Sequence, residues 1–352
     1  MLSYSIYTIA YRLKRKVGDW MLVQDDIQRI LDEKQLKRDT YNLIANKDTI
    51  QQFGEQYGNI LNRTTLIKML NQLKSSTTVV QRTTLSTFTH YLVNILELFS
   101  EVSIFSEWKE NKVKRYVSTS VQVSPYEIAL SLLSGSFLSH YSALFVHDLT
   151  LNNPKDIYIN REQTEKPINK ENAQLTQRRI DYAFSKEMRH TNQTYNFTYQ
   201  HIQYRVHVLN AKNTKKTGII TQHPIGFSKP IQVTNVERTL LDCMVRPKYS
   251  GGATEILEAF HHAQPKVDIQ LLNQYLDKFN YIYPYEKALW FYLKKNQYSD
   301  TDIQVFKEKT IHGPFAALDF YLDYQIVDKK KDADIGIFYP SAIDQMSGGF
   351  VT

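Results

Sequence analysis

The stretch VTNVERTLLDCMVRPKYSGGATEILEAFHHA, residues 233–263, decides how the rest of the chain is read. Thr234 and Glu237 stand at the spacing where a hydroxyl and a carboxylate each satisfy a backbone N–H at a helix start. Val236, Leu240 and Met244 then recur every fourth residue with Leu241 beside them, which sets one apolar face to bury. Arg238 and Asp242 fall one turn apart on the other side, where they can pair. Pro247 bars continuation, and Gly251-Gly252 lets the backbone reverse before Ile256, Leu257 and Phe260 begin a second apolar face. The pattern is helix, stop, glycine turn, helix. A generic αα-hairpin in a domain core satisfies it too.

Working outward, 352 residues with 42% hydrophobic and 22% charged side chains exclude a disordered chain and allow two or three domains. No apolar run approaches bilayer length, so no membrane partner is expected. The N-terminal MLSYSIYTIAYRLKRK carries its charge after the apolar part and lacks a small-residue cleavage site, which is unlike a signal peptide. The single cysteine, Cys243, excludes an internal disulfide and any multi-cysteine zinc site. A cytoplasmic protein is expected. The net charge of +7 favours a polyanionic partner.

Residues 1–61 read as a helical extension, with Leu22, Ile27, Ile30 and Leu31 near helical spacing. Its basic cluster Arg12, Lys14, Arg15 and Lys16 is either a solvated face or a phosphate contact. Over 62–120 the order of elements is informative. Asn62 caps a helix carrying Leu66, Ile67, Leu70 and Leu73, and a second helix runs from Thr84 to Phe99 through Leu85, Phe88, Leu92 and Ile95. VSIFSEW, the tip KENK and KRYVS then alternate and reverse as a β-hairpin. Helix, turn, helix, basic hairpin is the order of a winged helix-turn-helix, whose later helix faces base edges with its N-terminal residues. That makes Gln81, Arg82, Thr84, Ser86, Thr87 and His90 the candidate groove contacts on double-stranded DNA. Lys109, Lys112, Lys114 and Arg115 are the candidate phosphate contacts, which fix register without reading sequence. The same small fold also serves as a dimer or partner interface.

Ser124 and Glu127 again have capping-box spacing, before a helix through Ile128, Leu130 and Leu133 that Gly135 closes. Ser139 opens SHYSALFVHDL, and DIYIN reads as a strand. His140 invites a catalytic role, but a hydrogen-bonded structural histidine fits a helix start as well. Residues 161–200 read as a long polar loop with Arg178-Arg179 exposed. Strands resume at FTYQHIQYRVHVLN and TGIITQH, and helices at VDIQLLNQYLDKF and YEKALWFYLKK. The last segment, 299–352, mixes short strands, a helix over Ala316–Tyr321, the charge run Asp328–Asp332 and the tail SGGFVT.

No signature of chemistry emerges. His261 and His262 are adjacent and point about 100° apart on a helix, so they do not share a metal easily. GxSxG, GxxxxGK[ST] and GxGxxG are absent. Gly135-Ser136 imitates the turn that opens a nucleotidyl-transfer site, but Asp148 supplies one acid where two must hold metal ions. No enzyme, cofactor or metal is expected on this reading.

Three segments together resemble the AbiEi antitoxin family of type IV toxin–antitoxin phage-defence systems. They are SHYSALFVHDLT at 139–150, PKDIYIN at 154–160 and VTNVERTLLDCMVRPKYSGGATEILEA at 233–259, followed by LLNQYL and ALWFYL. The most specific string is ERTLLD followed by RP and GG. The resemblance covers roughly 124–295. It implies an α+β protein in which a winged helix-turn-helix that binds operator DNA precedes an α+β antitoxin domain. It also implies a cognate nucleotidyltransferase toxin as partner, and a fold-fixing role for Ser139, His140, Ser142, Glu237, Arg238, Thr239 and Asp242. The expected division is therefore 1–61, a winged helix at 62–120, an AbiEi-like domain at 121–298 and an extension at 299–352. A nuclease-type defence effector and a non-enzymatic adaptor are the alternatives, since either can share the antitoxin-like domain.

Overall fold

The computed structural model describes residues 38–79, 81–165 and 174–346. The apolar positions Leu22–Leu31, the basic cluster Arg12–Lys16 and the tail SGGFVT lie outside the described residues. Helices α1 (Arg38–Ala45) and α2 (Lys47–Gln56) come first, then the short strand β1 (Ile60–Leu61) and helices α3 (Arg63–Ser76) and α4 (Leu85–His90). Asn62 caps α3 as expected: its Oδ1 accepts from Thr65 N at 2.9 Å and its own N–H donates to the Thr65 hydroxyl at 2.7 Å. Leu66, Leu70 and Leu73 are buried, but Ile67 faces outward and Met69 fills the core instead.

The second helix ends earlier than its periodicity suggests. At Tyr91–Ile95 it widens into a π-turn, Glu97 takes a left-handed φ of 53°, and Phe99 already belongs to a strand. Strand pairing prevails over helical spacing here, because the exit seats Leu96, Leu98 and Phe99 together against Phe88 and Leu92.

Strands β2 (Phe99–Ser106) and β3 (Asn111–Ser118) form the expected hairpin, and β1 adds to β3 with Ile60 opposite Val117. Beyond it come α5 (Pro125–Leu130), β4 (Phe137–Leu138), α6 (His140–Val146) and β5 (Asp156–Glu162). The expected Ser124–Glu127 capping box forms at α5. Residues 161–200 are not one loop. They hold the end of β5, helix α7 (Gln177–Phe184) and strand β6 (Thr194–Tyr199). Two apolar side chains one turn apart, Ile180 and Phe184, are enough to seat α7 in the core.

Strands β7 (Ile202–Ala211), β8 (Ile219–Gln222) and β9 (Ile231–Thr234) complete a mixed nine-stranded sheet of order β1-β3-β2-β6-β7-β5-β4-β9-β8. The hairpin is thus not a free wing. The tip end of β2 pairs with β6, Ile104 opposite Phe197, so the sheet continues from it into the rest of the molecule.

The stretch that opened the sequence reading forms α8 (Val236–Val245), a 3-10 turn at Pro247–Ser250 and α9 (Ala253–Ala263). Gly251 and Gly252 carry φ of 81° and 90°, the left-handed backbone that the reversal requires. The cap is shifted by one residue from the expected Thr234–Glu237 box. Asn235 Oδ1 accepts from Arg238 N at 3.1 Å, while Thr234 ends β9 and turns its hydroxyl to Thr239 at 2.7 Å.

Helices α10 (Ile269–Phe279), α11 (Tyr285–Lys295) and α12 (Asp300–His312) follow. The expected helix at Ala316–Tyr321 is instead a turn leading into strand β10 (Phe320–Tyr321). The charge run becomes strand β11 (Lys329–Asp332), paired with β12 (Ile337–Pro340), and α13 (Ala342–Met346) is the last described element. One apolar core joins Leu144 of α6, Leu240 of α8, Phe260 of α9, Tyr292 of α11, Phe320 and Ile343. Among the described residues no helix is long and apolar enough to cross a membrane.

Candidate functional site

Residues 62–96, which build α3 and α4, contain Arg63, Lys68, Lys74, Arg82 and His90 and no Asp or Glu. Arg63, Lys68, Gln81, Arg82, Thr84, Ser86 and His90 are exposed, and Thr87 is half-buried. Several candidate contacts already have local work. Thr84 Oγ1 accepts from Thr87 N at 3.1 Å and shares a hydrogen bond with the Thr87 hydroxyl at 3.0 Å, so both serve the cap of α4. Gln81 Nε2 donates to Lys74 O at 2.8 Å, and His90 Nδ1 lies 3.1 Å from Asn94 Nδ2. Arg63 and Lys68, on the outer face of α3, were not among the expected contacts, although the absence of acids around them is legible in the sequence.

The structure divides the four hairpin cations. Lys109 and Lys112 stay exposed at the turn, with Lys109 lying 4.6 Å over the Trp108 ring. Lys114 pairs with Glu101 at 2.8 Å across the hairpin. Arg115 is buried against α5: its Nε donates to Ser131 Oγ at 3.0 Å and Nη2 to Ser131 O at 2.9 Å. It cannot reach a phosphate without leaving the core. The alternation of the strand decides this, since Lys114 and Arg115 necessarily point to opposite faces.

The seven motif residues are brought into one region and are largely buried. Ser139 Oγ meets His140 Nδ1 at 2.9 Å, and Ser142 Oγ accepts from Tyr158 N at 2.8 Å. Thr239 bonds back to Thr234, and Glu237 accepts from Asp268 N at 3.0 Å, at the start of α10. Arg238 pairs with Asp242 as its spacing allows, and is buried. It donates to Glu162 at 3.1 Å, to Thr214 Oγ1 at 2.9 Å, to Thr217 O and to Asp242 at 3.4 Å, with the Phe137 and Phe279 rings 5.4 and 5.5 Å from the guanidinium. Burial pushes the Glu162 carboxyl up, but hydrogen bonds from Thr214, Lys216 N and Arg238 outweigh it and leave it below its ordinary value. Asp242 goes the other way: burial raises it more than Arg238 lowers it.

Beside this cluster lies a cavity of about 780 Å³. Among the described residues its walls carry Arg189, Lys212, Lys215, Arg238, Arg246 and Lys278 against one carboxylate, Asp242. Tyr249, Phe279, Tyr281, Tyr283, Tyr285 and Tyr324 supply aromatic surface. His140 lines it too, with its ring edge-on to Tyr249 at 5.5 Å. Burial, with the charges of Arg246 and Arg238 adding to it, pushes His140 down to about 3 and keeps the imidazole neutral. Its φ of 52° is left-handed, a strained conformation for a histidine that begins a helix. Sequence reasoning missed this cavity. The signal available was the run YIYPY at 281–285, which spaces three tyrosines at alternate positions. Among the described residues no group of three or more His, Cys, Asp or Glu side chains is placed to hold a metal ion.

No protein-family model and no curated protein matches the chain. Among solved structures, the Rv2827c protein from Mycobacterium tuberculosis is similar, with a TM-score of 0.51 and 8% identity over 86% of this chain and 94% of that one. The likeness is one of fold.

Proposed function

We propose that this chain is a DNA-binding regulator of the AbiEi antitoxin type. It represses its own operon through a winged helix and counters a nucleotidyltransferase toxin in the cytoplasm without catalysis of its own. On this reading the DNA-binding unit spans residues 47–118. The observation that carries it is the acid-free pair α3–α4, set in the order helix, short strand, helix, helix, hairpin, with β1 closing on β3. An acid-free exposed face concentrates phosphate attraction where the N-terminal end of α4 is presented. The antitoxin half rests on the resemblance of the three quoted segments. Their polar residues are largely buried here, so they support the domain's fold, and on this reading the surface that acts on a toxin lies elsewhere.

The test is duplex DNA from the region upstream of the chain's own reading frame, titrated with the full-length protein over a range of salt. Each phosphate contact contributes about 0.9 to the slope of log affinity against log salt. Arg82→Ala combined with Lys112→Ala is expected to weaken binding and to flatten that slope by about 1.8. Affinity and slope both unchanged in the double variant would remove α4 and the hairpin tip as the DNA surface.

A further inference from the structure

The DNA-binding reading leaves the tyrosine-lined cavity without a role, and we infer that it binds a nucleotide, with the phosphate at Arg246 and the ring against the tyrosine wall. Three observations lead there. The volume, about 780 Å³, lies in the range that encloses a small organic ligand. The charge is lopsided: among the described residues six Lys and Arg side chains face one carboxylate, and that carboxylate is already engaged by Arg238. Arg238 is itself saturated by Glu162, Thr214 and Thr217. Arg246 differs. The residue is half-buried, lines the cavity, and its side chain has no carboxylate or carbonyl partner among the described residues. A planar fork held in such surroundings without a counter-charge is matched by a phosphate, which it binds through two parallel hydrogen bonds.

The third observation selects among anions. The hydroxyls of Tyr281, Tyr283, Tyr285 and Tyr324 line the cavity and make no hydrogen bond among the described residues, so they are open to a ligand there. Rings and phenol groups lining the cavity together with cations, Arg246 close to Tyr249, Tyr285 and Tyr324, fit a ligand that is flat and apolar at one end and doubly charged at the other. An inorganic anion leaves the tyrosine wall unused, and a neutral ring leaves Arg246 unpaired. A nucleoside phosphate uses both. It reaches the cavity either as a free mononucleotide or as the end of a single strand.

Calorimetric titration of the full chain at low salt with AMP, UMP, inorganic phosphate and a 5′-phosphorylated tetranucleotide tests the inference. Saturable one-site binding of a mononucleotide supports it with free nucleotide as the source; binding of the tetranucleotide alone supports it with a strand end as the source. Arg246→Gln is expected to weaken that binding on the order of 10- to 100-fold, the loss of a charge-assisted hydrogen bond. If Arg246→Gln does not fold, Arg189→Ala with Lys215→Ala, both on exposed positions, carries the same expected loss. No saturable binding of any nucleotide, affinity unaltered by these substitutions, or phosphate bound as tightly as nucleotide would each overturn it. Duplex retention by Arg246→Gln at wild-type strength keeps this outcome separate from that of the winged helix.

Discussion

Arg238 and Glu162 meet at 3.1 Å although 76 residues separate them, and the guanidinium is only 2% exposed. The pair ties α8 to the end of β5, with Asp242, Thr214 and Thr217 completing the shell. Removing the cation strands two carboxylates in a buried site. Arg238→Ala is therefore expected to destabilise the fold by about 3–5 kcal/mol, whereas Arg238→Met with Glu162→Gln, which removes charge from both sides, loses less. Urea unfolding of the two variants measures the difference. Equal losses would mean that packing, not the ion pair, matters at this position.

His140 makes stability depend on pH in a defined window. Its folded value of about 3 lies below the ordinary 6.5, so between those values the unfolded chain takes up a proton that the folded chain refuses. The contribution is complete above pH 6.5 and is lost on acidification, at about 1.4 kcal/mol per pH unit. His140→Asn, which tolerates the left-handed backbone, is expected to flatten the acid side of the stability profile by that amount. Asp242, whose raised carboxyl acts in the opposite sense, is common to both proteins and cancels in the comparison. Parallel profiles from pH 7.5 to 4.5 would contradict a buried neutral imidazole.

Two glycines separate backbone strain from crowding. At Gly218, φ 69°, an added Cβ would lie 2.8 Å from Asn235 Oδ1 and 2.9 Å from Arg238 Cβ, displacing the cap of α8. At Gly135, φ 71°, it would meet nothing within 4 Å. Gly135→Ala is expected to show only the left-handed penalty, about 1–2 kcal/mol. Gly218→Ala adds overpacking of about 1–3 kcal/mol to it. Thermal denaturation ranks them, and the reverse order would be inconsistent with this packing.

The start of α8 gives a further test. Asn235→Ala is expected to cost about 1 kcal/mol through loss of the side-chain bond to Arg238 N. Glu237→Gln retains an oxygen that accepts from Asp268 N and leaves the cap untouched, so it is expected to change stability by less. A larger effect from Glu237→Gln than from Asn235→Ala would restore the Thr234–Glu237 box.

Adjacent hairpin cations are expected to give opposite phenotypes. Arg115→Ala removes donors to Ser131 and to Lys114 O and is expected to cost about 1–3 kcal/mol of stability, because the carbonyls it served remain buried. Lys112→Ala is expected to leave stability within about 0.5 kcal/mol and to lower DNA affinity. Chemical denaturation and salt-dependent DNA titration, run on both, read the two effects separately.

Much of the local structure was legible from residue order. The stop at Pro247, the glycine reversal and the caps at Asn62 and Ser124 rest on contacts within a few residues of one another, the alternation of 102–118 about a polar tip marks the hairpin, and these features form. Errors appeared where a distant partner arbitrated. The helix after Thr84 ends early because Phe99 pairs with Ser118, and 161–200 contains α7 because Ile180 and Phe184 meet a core assembled from residues beyond 240.

The chain's own order of residues determined where helices start and stop, which faces are apolar and that residues 62–96 carry no negative charge, since each follows from near neighbours or from composition alone. Tertiary structure alone decided which charges are available. Arg115 reads as a surface cation until strand pairing places it inside, Arg238 reads only as a partner of Asp242 until folding brings Glu162, Thr214 and Thr217 to it, and Arg246 becomes a candidate anion site only when YIYPY and Tyr324 fold up beside it. A side chain's charge is written in the sequence, but its solvation is set by groups tens of residues away, and solvation decides whether that charge holds the fold together or meets a ligand.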